Sequence, residues 1–369
     1  MRKTIIYIFS VILLSFSIIN VAMAEEEVPG GPTETTGVIE QVLEEKEVES
    51  YGGTQIYQKL AVVLEDGATV TIESGTESKL STMLFEEGDK VLVTHITSID
   101  GEDIYYISDY IRTGPIYVLF VIFVGLAILV AGKTGFRALL AMGLSFVVIF
   151  KLLLPMLLNG SDPIFVMILG SVILAPLSFY VSYGINKKTH LATISTVITL
   201  VITSLMAAVF VSATKLTGFA SEEAGFLQGL NDVEYSMVGI LLAGIIIGLM
   251  GVVDDVTVTQ TALVHEIFET NKKLKFKELY LKSFAVGRTH IASMINTLIL
   301  VYAGASMPLM MMFIDNPQPF AHIINYEIIA TEIVRTLVGS IGLILAVPIT
   351  TFISCYGVIQ GAGKQVPRR

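Results

Sequence analysis

Seven stretches of this 369-residue chain are apolar over enough residues to cross a lipid bilayer, and this recurrence restricts the fold more than any other feature. The hydrocarbon core is about 30 Å thick, so a crossing helix needs about 20 predominantly apolar residues. Hydrophobic residues make up 53% of the chain and charged residues 15%, a balance that is not typical of soluble proteins. We therefore predict an α-helical polytopic membrane protein with about seven spans, near residues 115–132, 138–158, 163–184, 191–212, 236–254, 289–313 and 328–355.

The first 24 residues have the pattern of an export signal. Arg2 and Lys3 precede an apolar run that ends at Ile19, and Ala22-Met23-Ala24 stands directly before three glutamates. We predict a cleaved signal peptide over residues 1–24; the alternative is a retained helical anchor, which the short apolar run disfavours. A flexible acidic leader is expected over residues 25–35, because Glu, Pro and Gly are frequent there.

Residues 36–112 predict a small β domain of the OB or SH3 barrel type. The sequence has five β-rich stretches separated by turn signals such as Asp66-Gly67 and Gly88-Asp89. Two roles fit this domain: a rigid cap on the membrane domain, or a module that binds a ligand or a partner. We favour the cap, because the aromatic residues are scattered and no basic groove accompanies them. Strands are expected at 37–43, 55–64, 68–73, 90–97 and 104–111.

Charge predicts the orientation in the membrane. Residues 25–112 hold twenty acidic and five basic side chains, a net charge of −15, whereas residues 113–369 carry +3. Cytoplasmic loops collect Lys and Arg, and in this chain they concentrate in 133–137, 185–190, 255–288 and the tail. We predict a bacterial plasma-membrane protein with an extracytoplasmic β domain, a transmembrane helical domain over 113–357 and a basic cytoplasmic tail over 358–369. Nucleic acid is not an expected partner.

Ionisable and amide side chains inside the spans are the candidate functional residues, because a charged group there costs about 2.5–3.5 kcal/mol. Their functional interpretation is a binding site for a substrate or coupling ion. Their structural interpretation is a solvated helix end for the aspartates and an internal ion pair for Glu332 and Arg335, which are three residues apart. Another polar residue within a span, Lys151, is interpreted as a side chain that extends to the membrane surface. The candidate set is Asp254, Asp255, Arg288, His290, Asn296, Glu332 and Arg335.

Glycine and proline predict where helices pack closely or break. Gly244, Gly248 and Gly251 form a small-residue ridge on the fifth span, which favours close helix packing. The polar run from Asp254 to Thr261 then predicts either a broken or re-entrant helix or an ordinary cytoplasmic loop. In the sixth span, Gly304 and Pro308 predict a kink or a break.

Catalytic, metal and cofactor motifs are incomplete. His265-Glu266 has no second histidine at the spacing of a zinc protease, and Gly132-Lys133-Thr134 lacks the first glycine of a phosphate-binding loop. Cys355 is the single cysteine, so neither a disulfide within the chain nor a cysteine-based metal site can form. We expect no enzyme activity, no cofactor and no metal.

Two motifs resemble the YibE/F-like family of bacterial membrane proteins. They are Gly244–Asp255 with its continuation to Glu269, and Val286–Pro308, where Gly-Arg, Asn-Thr-Leu and Tyr-x-Gly-x-Ser-x-Pro occur in order. The resemblance extends over residues 114–357 and implies a polytopic domain with an extracytoplasmic β module. It implies no substrate or reaction. Two adjacent aspartates and a threonine-rich continuation stand where the family pattern has one Asp and a serine-rich segment.

The sequence thus favours two functions. The first is a permease for a small solute or cation, bound by some of the candidate residues. The second is a scaffold, assembly or signalling component whose β domain binds a ligand or partner, with the helices as the anchor. Expected partners are the lipid bilayer, a small solute or cation, and a membrane-protein partner or a second copy of the chain.

Overall fold

This computed structural model describes residues 33–50, 53–75, 83–97, 103–220, 224–226, 236–314 and 318–363. Contacts divide the chain into two compact units, with the boundary between Leu126 and Ala127. The predicted signal peptide, most of the acidic leader and the last six residues of the basic tail lie outside the described residues.

The first unit contains a five-stranded antiparallel sheet. All five predicted strands are confirmed, and the first starts at Thr33, inside the expected leader. The spatial order is β3-β2-β1-β4-β5, and the sheet curls into a half-barrel instead of closing. The strands are β1 Thr33–Ser50, β2 Gly53–Leu64, β3 Thr69–Ser74, β4 Lys90–Thr97 and β5 Asp103–Tyr110.

The concave face of this sheet holds an apolar core, because every second residue of its strands points inward. Leu60 and Val62 of β2 and Val91 and Val93 of β4 are all fully buried. Gln58 is also buried, and its amide makes two hydrogen bonds with the backbone of Phe85: Nε2 donates to the Phe85 carbonyl (3.0 Å), and Oε1 accepts from the Phe85 N–H (2.9 Å). This pair holds the segment before β4 against β2.

At the far end of β4 and β5, polar side chains form an exposed cluster. His95 Nε2 lies 2.8 Å from Asp103 Oδ1, and Thr97 donates to the same oxygen. These hydrogen bonds, first from His95 and then from Thr97, lower the pKa of the Asp103 carboxyl below its usual value.

The rest of the described chain is helical, with six helices long and apolar enough to cross a membrane. The helices that begin at Lys187 and Met237 each follow a side-chain cap, Asn186 and Ser236 respectively. A five-residue π-helix, Ile149–Leu153, lies between the first two helices and contains the exposed Lys151. The helices are α1 Thr113–Val148, α2 Leu154–Leu158, α3 Pro163–Tyr183, α4 Lys187–Ala213, α5 Met237–Thr270, α6 Phe276–Ala305, α7 Met307–Ile314, α8 Phe320–Ile323 and α9 Glu327–Gly363.

The first candidate span explains the difference between six helices and about seven predicted spans. It runs from Thr113 to Leu158, or 46 residues. At 1.5 Å per residue that is about 69 Å, more than twice the thickness of the hydrocarbon core. Its backbone leaves helical geometry at Gly132, where φ is 59° and ψ is −132°. Glycine adopts this conformation without steric cost. The break lies at the end of the first predicted span (115–132) and before the second (138–158), so one long helix corresponds to two predicted spans.

The fifth span differs from the prediction, because α5 does not end or break at Asp254. It continues without interruption to Thr270, and only Asn271–Lys275 separate it from α6. Within the run, Thr257 Oγ1 donates to the Asp254 carbonyl of the same helix at 3.1 Å, whereas Gln260 bonds to neighbouring helices. The predicted break after Gly304 is confirmed, since α6 ends at Ala305 and Ser306 separates it from α7.

Two glycines allow the central helices of the second unit to approach one another closely. A Cβ atom on Gly342 of α9 would lie 2.8 Å from Thr203 Oγ1 of α4 and 2.9 Å from a Leu249 methyl of α5. One on Gly287 of α6 would lie 2.6 Å from a Val347 methyl and 2.8 Å from Gln260 Oε1. Contacts this short do not occur at real Cβ atoms, so a larger residue at either position would require the neighbouring side chains to shift.

We predict that Gln58→Leu destabilises the β unit, because it leaves the Phe85 N–H and carbonyl buried without partners. Each such group costs about 1–3 kcal/mol. Amide hydrogen exchange of β2 and β4, measured by mass spectrometry on the full chain, should accelerate. Gln41→Leu, at an exposed position of β1, is the control and should leave exchange unchanged. Equal exchange in the two variants would contradict the role of the Gln58 amide.

Candidate functional site

Hydroxyl side chains crowd the interface of the central helices. The buried face of α4 is rich in threonine and serine, and most of these hydroxyls donate to a carbonyl one turn earlier, as Thr193 does to Thr189 and Thr203 to Thr199. This pattern satisfies them within their own helix. Thr196 instead bonds to the neighbouring helix, with its Oγ1 2.6 Å from Thr257 Oγ1 of α5.

Gln260 of α5 is the centre of a second set of bonds, which we call the Gln260 hub. Its Nε2 donates to the Ser283 carbonyl of α6 at 3.0 Å and to Thr351 Oγ1 of α9 at 2.8 Å. One residue further along, Thr261 Oγ1 accepts from Ser354 of α9 at 3.1 Å. The hub therefore joins α5, α6 and α9 through fully buried polar groups.

Asp254 lies on α5, one turn before Thr257. Its Oδ1 atom is enclosed and has no hydrogen-bond partner among the described residues. Ser178 of α3 lies within hydrogen-bonding reach of the carboxyl. No Lys or Arg forms an ion pair with it within the described part of the chain. Asp254 is half-buried as a whole. A cation or a proton that neutralises its carboxylate would lower the cost of enclosing this charge.

Asp255, the adjacent residue, has a different environment. Its side chain is exposed, because one residue of helix turns it about 100° away from Asp254. The ring hydroxyl of Tyr183, at the end of α3, lies within electrostatic range of both aspartates. The sequence alone does not distinguish the two aspartates; the structure does.

An open pocket of about 260 Å³ lies between the end of α3, the start of α4 and the middle of α5, and its lining does not include Asp254. Tyr183 lines it from α3, Lys188 and Thr189 from the start of α4, and Val258 and Thr261 from α5. Val258 is one turn from Asp254 on the same face of α5, so the carboxyl and the pocket are about 6 Å apart along the helix. Thr261 belongs to both the pocket and the hydrogen bonds to α9, so the pocket reaches the polar interior.

At the opposite end of α5, a second polar group is the ion pair of Glu332 and Arg335 on α9. Their charged atoms are 2.8 Å apart, and the side chains are 26% and 31% exposed. Tyr302 of α6 lies within electrostatic range of both. A Cβ atom on Gly248 would lie 3.4 Å from the Tyr302 hydroxyl. The structure therefore pairs the two residues, as the structural interpretation expected, and Gly248 lies beside the Tyr302 hydroxyl.

The other candidate residues are more peripheral. Arg288 and Asn296 are exposed and His290 is half-buried. Asn296 is two residues from the buried Leu298, or about 200° around α6, so it faces away from the neighbouring helices. Gly244, Gly251 and Gly304 have no atom within 4 Å of a built Cβ. Sequence reasoning missed Ser178, Tyr183, Gln260, Gly287 and Gly342, whose importance depends on what another helix places opposite them.

No group of three or more His, Cys, Asp or Glu side chains suited to a metal ion occurs within the described ranges. Another cavity, which is apolar, lies between α2, α3 and α5 and is lined by residues such as Leu153, Leu157 and Ala243. It offers no charged group and is therefore less suited to bind an ion.

Comparison with known proteins gives one match. The family model described as YibE/F-like protein matches residues 119–360. Neither a search of curated proteins nor a search of solved structures found a match. The matched range covers α3 to α6 and nearly all of α9, and therefore both polar groups described above.

We predict that Glu332→Ala lowers the free energy of unfolding by about 1–3 kcal/mol, less than the cost of breaking a fully buried pair because both side chains are partly exposed. Replacing both residues with leucine should restore stability to near that of the wild type, since no charge is then left unpaired. Thermal unfolding in detergent, followed with a thiol-reactive dye at the buried Cys355, measures both.

The matched control is Glu269→Ala, which removes an exposed pair of the same i,i+3 spacing with Lys272. It should change stability by no more than about 1 kcal/mol. If Glu332→Ala is as mild as this control, the Glu332–Arg335 pair is not a stabilising element.

Proposed function

The chain belongs to the YibE/F-like family, and from this premise we propose that it is a membrane permease for a small solute or cation. The chain is a multi-pass membrane protein by its apolar helices and its family. The single observation that carries the permease proposal is Asp254 Oδ1, an enclosed oxygen with no hydrogen-bond partner among the described residues. We propose no enzymatic step, because catalysis needs a nucleophile or base placed beside a reacting atom, and a binding carboxylate does not require one.

A permease needs a site that binds its ligand well enough to load and weakly enough to release. Asp254 fits the first need, because a carboxylate in low dielectric attracts a cation strongly. The open pocket one helical turn away, which Tyr183 and Thr189 border, fits the need for release. The Thr196–Thr257 bond and the Gln260 hub supply the fixed helix interface around this site.

The orientation supports the same proposal. Basic residues cluster at the break near Gly132, at the start of α4 and between α5 and α6, as the cytoplasmic ends of seven spans would require. In this topology the pocket beside Asp254 opens toward the cytoplasm, and the Glu332–Arg335 pair lies near the outer surface. The β unit is then extracytoplasmic in a bacterial cell.

We predict that a monovalent cation stabilises the wild-type protein and that Asp254→Asn abolishes this effect. At one hundred times its dissociation constant a ligand stabilises by about 2.7 kcal/mol. The assay is thermal unfolding with the Cys355 dye against Na⁺, K⁺, Li⁺ and a pH series, followed by amino acids and other metabolites. Asp255→Asn removes the same charge one residue away at an exposed position and should retain the stabilisation.

Loss of the effect in both variants would point to general electrostatics and contradict a site at Asp254. If stabilising ligands act on Asp254→Asn but not on a chain lacking residues 36–112, the β unit is the binder. That result would favour the alternative function, a scaffold or signalling component with a ligand-binding outer domain.

The topology has its own prediction. With Cys355 replaced by alanine, a cysteine at Ser161, between α2 and α3, should react with a membrane-impermeant maleimide in intact cells. A cysteine at Lys273, between α5 and α6, should react only after the cells are opened. The reverse pattern would place the basic loops outside and overturn the proposed orientation.

A further inference from the structure

The open pocket of about 260 Å³ between α3, α4 and α5 has a lining with one positive charge and no negative charge. Lys188 supplies the ammonium group, and neither Asp nor Glu is among the lining residues in the described part of the chain. The volume is below the range of about 300–1,000 Å³ that is typical of sites for drug-sized molecules, so the pocket suits a smaller solute. Its charge favours an anion.

Neutral hydrogen-bond donors also line this pocket. Thr189 and Thr261 are only 5% and 1% exposed, so both hydroxyls belong to the protein interior. Thr261 Oγ1 accepts a hydrogen bond from Ser354, which leaves its own O–H to donate to a ligand. The Tyr183 hydroxyl, at the end of α3, is a further donor. A carboxylate or a phosphate accepts several such bonds at once, and its charge strengthens them.

The surroundings add positive charge to one side of the pocket. A Cβ atom on Gly184, the residue after Tyr183, would lie 3.7 Å from a guanidinium nitrogen of Arg137. The pocket also adjoins the start of α4, and the first N–H groups of a helix carry partial positive charge. Both features favour a negatively charged ligand over a positively charged one.

Two acidic side chains lie near the pocket without lining it. Glu266 Oε1 is 3.4 Å from Lys188 Nζ, but the two side chains are 74% and 49% exposed. An exposed pair of this kind contributes little, so an anion in the pocket can compete with Glu266 for the ammonium group. Asp255 lies within electrostatic range of Tyr183 and is exposed, so water screens its charge more than that of an enclosed group.

We propose that this pocket binds a small solute that carries a carboxylate or a phosphate group, held by Lys188 together with Tyr183 and Thr261. The inference rests on the proposed permease function, because it names the class of solute that would be moved. Asp254 is one turn of α5 from Val258 of the pocket, so a cation at Asp254 and an anion in the pocket attract each other. Carried together, the two leave less net charge to cross the membrane.

Thermal unfolding in a neutral, lipid-free detergent tests the site, followed with the thiol-reactive dye at Cys355. The probes are the sodium salts of acetate, succinate and inorganic phosphate, each compared with chloride at equal ionic strength. At least one of them should stabilise the wild-type protein. Lys188→Gln should raise the dissociation constant of that anion roughly tenfold, because it removes a charged hydrogen-bond donor, and Lys188→Arg should largely preserve it.

The matched control is Lys272→Gln, which removes a lysine that also pairs with an exposed glutamate, Glu269. This variant should bind the anion as the wild type does. An equal loss of binding in Lys188→Gln and Lys272→Gln would indicate general electrostatics and contradict a site at Lys188.

Ala262→Phe separates binding in the pocket from attraction to surface lysines. Ala262 lines the pocket, so the larger ring would fill part of it while Lys188 stays in place. Anion stabilisation should be lost, and if it persists, the anion binds elsewhere and the proposal is wrong. Tyr183→Phe, which removes a single hydroxyl, should weaken binding severalfold and tests the pocket even if Ala262→Phe does not fold.

Nanodiscs of phosphatidylcholine, with or without phosphatidylglycerol, distinguish a free solute from a lipid headgroup. Stabilisation by phosphatidylglycerol, with none by the three free anions, would overturn the proposal of a solute. If an anion binds at Lys188 but no cation acts at Asp254, the permease proposal loses its support while the anion site stands. If a cation acts at Asp254 and no anion binds, only the anion site is wrong.

Discussion

The structure depends first on the need to satisfy hydrogen bonds where no water is available. Inside a bilayer every backbone and side-chain polar group must find a partner within the protein. The buried threonines and serines of α4 meet this need by donating to carbonyls of their own helix. They therefore fill the helix interface as small, weakly polar groups. The hydrogen bonds of Thr196 and Gln260 connect neighbouring helices and hold them in position.

Against this background Asp254 is an exception. Its enclosed carboxylate oxygen has no hydrogen-bond partner among the described residues, and it forms no ion pair with a Lys or Arg there. Because α5 continues as a helix through the polar run, Asp254, Val258 and Thr261 lie on the same face of it. Val258 and Thr261 also line the pocket. The Glu332–Arg335 pair, in contrast, is neutralised internally.

The sequence predicted the features that depend on local pattern. The five strands follow from alternation and turn residues, and the break after Gly304 follows from glycine and proline chemistry. Side-chain partners could not be predicted, because they depend on which helix lies opposite. Thus the polar run after Asp254 indicated a break or a loop, whereas the helix continues through it: Thr257 bonds to a carbonyl of α5, and Gln260 bonds to α6 and α9. Likewise, Asn296 was grouped with Asp254 by its polarity, but it faces away from the neighbouring helices.

Gly342 and Gly287 have a mechanical consequence. Gly342 of α9 faces side chains of α4 and α5, and Gly287 of α6 faces side chains of α5 and α9, so each glycine lies where three helices meet. A larger residue at either position would therefore have to displace side chains of two neighbouring helices at once. The two glycines thus set the spacing of a group of helices and not only of one pair.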